Sequence, residues 1–136
     1  MLRYRLNATY GIYSSVAVQG VNAYGAGFGT MGRVRPGAVS TVTIAGEYSL
    51  TRRLVLALDI GFQTVNTTHF SGDPGLDAQG RPALVGRGFS HLITIAPALE
   101  CSWNQHVGVP VGPWMSVRGR NTSECFGIVA ALYCFL

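Results

Sequence analysis

The sequence predicts an all-β fold, an antiparallel up-and-down transmembrane β-barrel, and three observations lead there. First, Leu54 to Gln63 alternates without a break. Leu54, Leu56, Leu58, Ile60 and Phe62 fall on one side, and Val55, Ala57, Asp59, Gly61 and Gln63 on the other, which is the period of a strand with one apolar face and one small, mixed face. Second, other segments repeat the pattern at roughly 9–11 residues, the length that crosses a bilayer as a tilted strand. Third, the 136 residues are 48% hydrophobic and only 12% charged, with a mean hydropathy of +0.27, where a soluble domain carries about 25% charged residues. A spanning helix needs about 20 consecutive apolar residues, and the longest apolar run, Phe126 to Leu136, falls short. Backbone groups in lipid must be satisfied internally, so apolar content without helical spans leaves a closed barrel.

Six segments carry the period. Ala8 to Tyr24 is the weakest and is followed by a glycine-rich loop, Gly25 to Gly37. Ala38 to Leu50 sets Val42, Ile44 and Tyr48 against Thr41, Thr43, Ala45 and Glu47; a short turn, Ser49 to Arg53, joins it to Arg53 to Asn66. Thr67 to Gly88 is polar and holds Gly72-Asp73-Pro74-Gly75 and Gly80-Arg81-Pro82, turn formers that predict a long surface loop. Ser90 to Trp103 places Ile93, Ile95, Pro97, Leu99, Cys101 and Trp103 outward, and Asn104-Gln105-His106 turns the chain into Val107 to Arg118. There Val107, Val109, Val111, Met115 and Val117 oppose Gly108, Gly112, Trp114, Ser116 and Arg118, although Pro110 and Pro113 remove ladder donors. After a turn at Gly119 to Thr122, Ser123 to Leu136 closes the set, with Gly127, Val129, Ala131, Tyr133 and Phe135 on one face. The whole of 1–136 reads as one domain.

Several chemistries are excluded or disfavoured. The net charge of +4 comes from ten scattered arginines, with no basic run or helix, so nucleic acid is not an expected partner. Cys101, Cys125 and Cys134 are odd in number and lack metal spacing, so they read as small packing residues. His69, His91 and His106 are isolated, and no metal or other cofactor is expected. Gly27-Phe28-Gly29-Thr30-Met31-Gly32 matches G-x-G-x-x-G, but Arg33-Val34-Arg35-Pro36-Gly37 follows and would stop the helix a dinucleotide site requires. Two nearby carboxylates suggest acid/base catalysis, but no nucleophile, sugar-binding motif or nucleophile elbow accompanies them, so no catalytic residue is assigned and an enzyme is not expected. No secretory signal is legible near Arg3 and Arg5, because Asn7, Thr9, Ser14 and Ser15 interrupt any apolar stretch; the chain therefore reads as a mature form or a fragment.

On the face opposite the outward residues lie Glu47, Asp59, Gln63, Glu100, Trp114, Arg118 and Glu124. In a barrel these line the lumen and set its polarity, unless they pair with one another and plug it. With the short turns in the periplasm and the longer loops outside, Tyr48, Trp103, Tyr133 and Phe135 gather at the periplasmic interface as an aromatic belt.

Leu50-Thr51-Arg52-Arg53-Leu54-Val55-Leu56-Ala57-Leu58-Asp59, Ala96-Pro97-Ala98-Leu99-Glu100 with Trp103-Asn104, Gly119-Arg120-Asn121-Thr122 and the apolar finish Val129 to Leu136 resemble the outer-membrane β-barrel family of transporters assigned to the meta-pathway of phenol degradation. The likeness covers roughly Ala38 to Leu136, and its members are about twice this length, so the chain looks like the C-terminal half of one. The resemblance implies a channel in the outer membrane of a Gram-negative bacterium, placed there by the insertion machinery and admitting aromatic or other apolar compounds. Six strands are fewer than the eight or so with which single-chain barrels begin. Association of copies into a homo-oligomer, or a larger barrel of which this is a portion, is the expected completion. Two alternatives stay open: a non-conducting structural or assembly module filled by Phe126, Trp114 and its own charges, and a soluble lipocalin-like ligand-binding barrel with its large residues inward.

Overall fold

The computed structural model describes residues 1–104 and 106–134, and among them there is no helix, hence none long and apolar enough to cross a membrane. Ten strands form among the described residues: β1 (Leu2–Gly11), β2 (Val16–Gln19), β3 (Met31–Arg35), β4 (Val39–Ser49), β5 (Leu54–Val65), β6 (His69–Asp73), β7 (Ser90–Ser102), β8 (Val107–Arg120), β9 (Phe126–Ala130) and β10 (Tyr133–Cys134). The chain divides into two compact units, one of residues Met1–Thr9, Thr41–Gln63 and His91–Leu136, the other of Tyr10–Ser40 and Thr64–Ser90.

The large sheet has the order β1-β4-β5-β7-β8, with β9 and β10 both on the far side of β8. Backbone bonds at strand ends fix its directions. Ser49 N–H donates to Met1 O (2.9 Å), Asn66 N–H to Ala38 O (2.9 Å) and Ser102 N–H to Arg53 O (2.8 Å), each tying one strand's end to its neighbour's start. All neighbours from β1 to β7 are therefore antiparallel, and the β7–β8, β8–β9 and β8–β10 ladders are too. Among the described residues no ladder joins β1 to β9 or β10, so the sheet is open at both edges.

The short turns form as the sequence dictates. Thr51 Oγ1 accepts the N–H groups of Arg53 (3.1 Å) and Leu54 (3.0 Å), and Asn104 Oδ1 accepts those of His106 and Val107, both at 2.8 Å. Short polar side chains bonding their own backbone a few residues on are the usual means of reversing a chain in so little length. Gln105 lies outside the described residues.

Three expectations need correction. The first long strand is Leu2–Gly11, not Ala8 to Tyr24, which contributes only the end of β1 and the short β2. The segments Gly25 to Gly37 and Thr67 to Gly88 are not plain loops: β3 and β6 come from them and build a three-stranded sheet, β2-β3-β6. Val34 on β3, in register with Phe70 and Val16, is fully buried there, and Gly32 lets the Phe70 ring lie against the backbone, where a Cβ would come within 2.7 Å of it. Finally, Ser123 to Leu136 is not one strand but β9 and β10, separated at Ala131 and Leu132.

The β8 prolines are accommodated by register. β8 pairs Met115 with Ile95 and Val111 with Leu99, which brings Pro113 opposite Pro97. Ser116 N–H donates to Cys125 O and Pro110 O accepts from Ala131 N–H, so the even-numbered backbone groups of β8 face β9 and the odd ones face β7. The missing donors of Pro97 and Pro113 thus fall on the same rung, so the two lost bonds disturb one rung instead of two.

Across both units, Val34 and Ala45 are the only buried apolar residues other than glycine among the described residues, and Thr30 the only buried polar one. Thr30 Oγ1 accepts Gly27 N–H (2.9 Å) and donates to Pro74 O (2.6 Å), holding the β3 approach to the β6 turn. Thr30→Val keeps the shape and leaves both backbone groups unsatisfied. It is expected to destabilise the unit of the small sheet by about 1–3 kcal/mol, read as faster amide hydrogen exchange at Val34 and Phe70 with little change at Leu56 and Leu58.

Candidate functional site

The two faces of the large sheet differ in kind. On β5, Leu56, Leu58, Ile60 and Phe62 are each 40–46% exposed, while Ala57, Asp59 and Gly61 between them are half-buried. The β7–β8 ladder continues both faces: Ile95 with Met115, Leu99 with Val111 and Cys101 with Val109 on the apolar one, Glu100 with Pro110 and Ser102 with Gly108 on the other. Small residues dominate that second face, and the sheet curls toward it. A concavity of about 380 Å³ is lined at once by Arg5 of β1 and Val129 of β9, strands that a flat sheet would hold about 24 Å apart at the usual spacing.

Charge collects in this hollow. Arg5, Glu47, Asp59, Glu100 and Trp114 all line the 380 Å³ concavity. A wider one of about 750 Å³ adds Arg52, Arg53, Ser102, Asn104 and Tyr133 at the end where the short turns lie. Arg5 reaches across β4 to Asp59, Nη2 to Oδ2 3.7 Å. Ala45, nearly fully buried, occupies the same face of the intervening strand, and its single methyl leaves room for that crossing. Glu100 is fixed by a neutral donor: Tyr133 Oη donates to Glu100 Oε1 at 2.7 Å and itself lies 2.7 Å from Ser102 Oγ. A hydroxyl relay of this kind orients a carboxylate without cancelling its charge. Glu47 has no ionic partner within 4.0 Å among the described residues.

Of the seven residues predicted to line a lumen, four therefore meet in one hollow, and three do not. Gln63 shares the concave face but lies with Thr41, Nε2 to Oγ1 3.5 Å, away from the charges. Arg118 is displaced by a register shift between Ile93 and Thr94: β8 gains one residue there, so Arg118 stands opposite Ile93 on the apolar side, and it lies far along the strands from Glu100, which pairs with Pro110. Such a bulge inverts the alternation for everything beyond it. Glu124 is exposed in the turn before β9 and belongs to neither face.

The aromatic belt divides likewise. Tyr48 and Trp103 are exposed, at 53% and 57%, near the end of the short turns. Tyr133 is corrected to the concave face. It pairs with Gly108, where any Cβ would collide with its ring, so the absent side chain makes the seat from which it reaches Glu100. Phe135 lies outside the described residues. The face of β9 is also inverted from the sequence reading: Phe126 pairs with Met115 and Ile128 with Pro113 on the apolar side, while Val129 and Gly127 join Gly112 and Trp114. Phe126, 71% exposed, does not fill an interior. The three cysteines are free, with Cys101 and Cys134 exposed instead of packed. Among the described residues no cluster of His, Cys, Asp or Glu is suited to a metal ion.

Arg3 and Arg5 are the site residues missed in sequence. Leu2, Tyr4, Leu6, Ala8 and Tyr10 alternate with Arg3, Arg5, Asn7 and Thr9 as cleanly as β5 does, and that period was the available signal. Compared with protein-family models, with curated proteins and with solved structures, the chain finds no match.

Because the Arg5 and Asp59 side chains are 61% and 43% exposed, their attraction is screened, and exposed pairs contribute about 0.2–1 kcal/mol. A double-mutant cycle of Arg5→Ala and Asp59→Ala in urea unfolding is expected to give a coupling within that range. A larger value would make the pair a structural element and not a charged lining.

Proposed function

We propose that the chain is a β-barrel channel component of a bacterial outer membrane, passing small solutes passively along the charged hollow. One observation carries this reading: the sheet is amphipathic in the inverted sense, its large aliphatic and aromatic residues exposed on the convex side and its charges gathered on the concave one. Apolar surface of this extent on a soluble monomer would be a liability, whereas hydrocarbon is its natural solvent. The lengths agree, since β1, β4, β5, β7 and β8 run for 10 to 14 residues against the roughly 9–11 needed to cross. Exposed Tyr48 and Trp103 near one end of the strands and Phe62 and Phe126 near the other suit the two interfacial girdles of such barrels.

The soluble lipocalin-like reading requires the large residues inside, and Leu56, Leu58 and Phe62 are outside. A plugged, non-conducting module requires mutual neutralisation. Glu47, with no ion pair among the described residues, and Glu100, held by the Tyr133 hydroxyl, argue for a wet and charged lining instead. The family resemblance adds aromatic or apolar compounds as cargo, while the hollow itself favours small hydrophilic ions.

The wider concavity sets Arg5, Arg52 and Arg53 against Glu47 and Glu100, but in the narrower one, where an ion passes closest to the lining, Glu47, Asp59 and Glu100 outnumber Arg5, and that local surplus of negative charge favours cations. Protein refolded into planar bilayers is expected to pass a cation-preferring current in a salt gradient. The Glu47→Gln, Glu100→Gln double variant should move the reversal potential toward the non-selective value. Bilayers that stay sealed although the protein has inserted would overturn the channel reading.

A further inference from the structure

We infer that the two open edges of the large sheet, β1 and β9, are the mating surfaces of a second copy, so that two chains form one twelve-stranded ring; this rests on the channel reading. The edges are complementary in direction. Counting antiparallel neighbours from β1 through β4, β5, β7 and β8 to β9 leaves β1 and β9 running oppositely, so β1 of one copy lies beside β9 of the other as an antiparallel pair. They are complementary in face as well. On β1, Leu2, Tyr4 and Leu6 are exposed on the convex side while Arg3 and Arg5 line the hollows; on β9, Phe126 and Ile128 are convex and Val129 is concave. Pairing at this seam prolongs the apolar belt and the polar lining together. A twofold axis along the ring repeats the seam once and leaves no edge.

Closure of the chain upon itself is the competing arrangement, and the charges disfavour it. Barrel diameter rises with strand number, and about eight strands leave an interior that side chains alone fill. Six would press Arg3, Arg5, Glu47, Asp59, Glu100 and Trp114 into less space than that and strip the charges of water. β1 and β9 line one concavity and still form no ladder with each other. Twelve strands leave the lining hydrated.

The test uses the full chain with Cys101, Cys125 and Cys134 replaced by Ser, refolded in detergent micelles and in liposomes. Single cysteines are placed at Tyr4, Leu6 or Ala8 and, in separate preparations, at Phe126, Ile128 or Ala130. Mixtures of one β1 and one β9 variant are then oxidised with copper phenanthroline. Covalent heterodimers are expected in an antiparallel order, the reactive β9 position moving toward Phe126 as the β1 position moves toward Ala8. The Leu6→Cys, Ile128→Cys chain, or its neighbour in the register found, should give a dimer and not a ladder of larger species. A fast-migrating monomer from that doubly substituted chain would show self-closure and overturn the proposal, as would the absence of heterodimers at every pair. The two readings fail separately: ordered heterodimers in a protein that seals bilayers leave the seam standing and remove the channel, and cation current without heterodimers does the reverse.

Discussion

The structure is governed by the absence of an interior. Nearly half of the residues are hydrophobic, yet apart from glycine only Val34 and Ala45 are buried among the apolar residues described. Folding of a soluble domain draws on burial worth about 1.5–3 kcal/mol for each large aliphatic or aromatic side chain. Here backbone ladders organise the sheet, and its convex face still holds most of that free energy unspent. Leu56, Leu58, Ile60, Phe62 and Leu99 are ordered by their strands but not covered by them. Whatever covers this face, lipid in the reading favoured here, supplies the term that a core supplies elsewhere.

The concave face follows from the same asymmetry. Apart from Trp114, Val129 and Tyr133, the residues that point inward are mostly small or polar: Ala45, Ala57, Ala96, Ala98, Gly108 and Gly112 lie among Glu47, Asp59 and Glu100. Small residues on one side and bulky ones on the other let the sheet curl toward the small side, bringing side chains of strands distant in the sheet order around one hollow. Gly108 shows how far this matters locally. By lacking a side chain it seats the Tyr133 ring, and the ring's hydroxyl then orients Glu100. A packing vacancy on β8 thereby becomes an electrostatic feature on β7.

How much was legible in the sequence depended on how local the determining physics is. β5 declares itself because five large residues at a strict period of two leave no other structure. The turns at Thr51 and Asn104 are equally local, each being a side chain bonded to its own backbone. Arg118 and Tyr133 were misplaced because alternation specifies a face only until the register slips. A single extra residue in β8 opposite the Ile93–Thr94 step moves Arg118 to the apolar side, and the interruption at Ala131 and Leu132 separates β10 from β9. Neither event leaves a mark in composition. β3 and β6 were hidden for a related reason: Gly32 and Gly72 read as loop formers, but they face each other across a ladder in which the missing side chains permit close backbone approach.

The charged hollow constrains what the open edges can do. An exposed strand edge in lipid leaves unsatisfied donors and acceptors costing several kcal/mol each, so a membrane-inserted sheet cannot remain open. The simplest remedy, joining β1 to β9 of the same chain, satisfies the backbone but encloses Arg5, Asp59, Glu47 and Glu100 in a space too narrow for water, and the desolvation of each ion again costs several kcal/mol. The two penalties act in opposite directions on ring size, one demanding closure and the other demanding width. Only a ring wider than six strands satisfies both, and β1 and β9, opposite in direction and alike in their division into apolar and polar faces, are suited to build it.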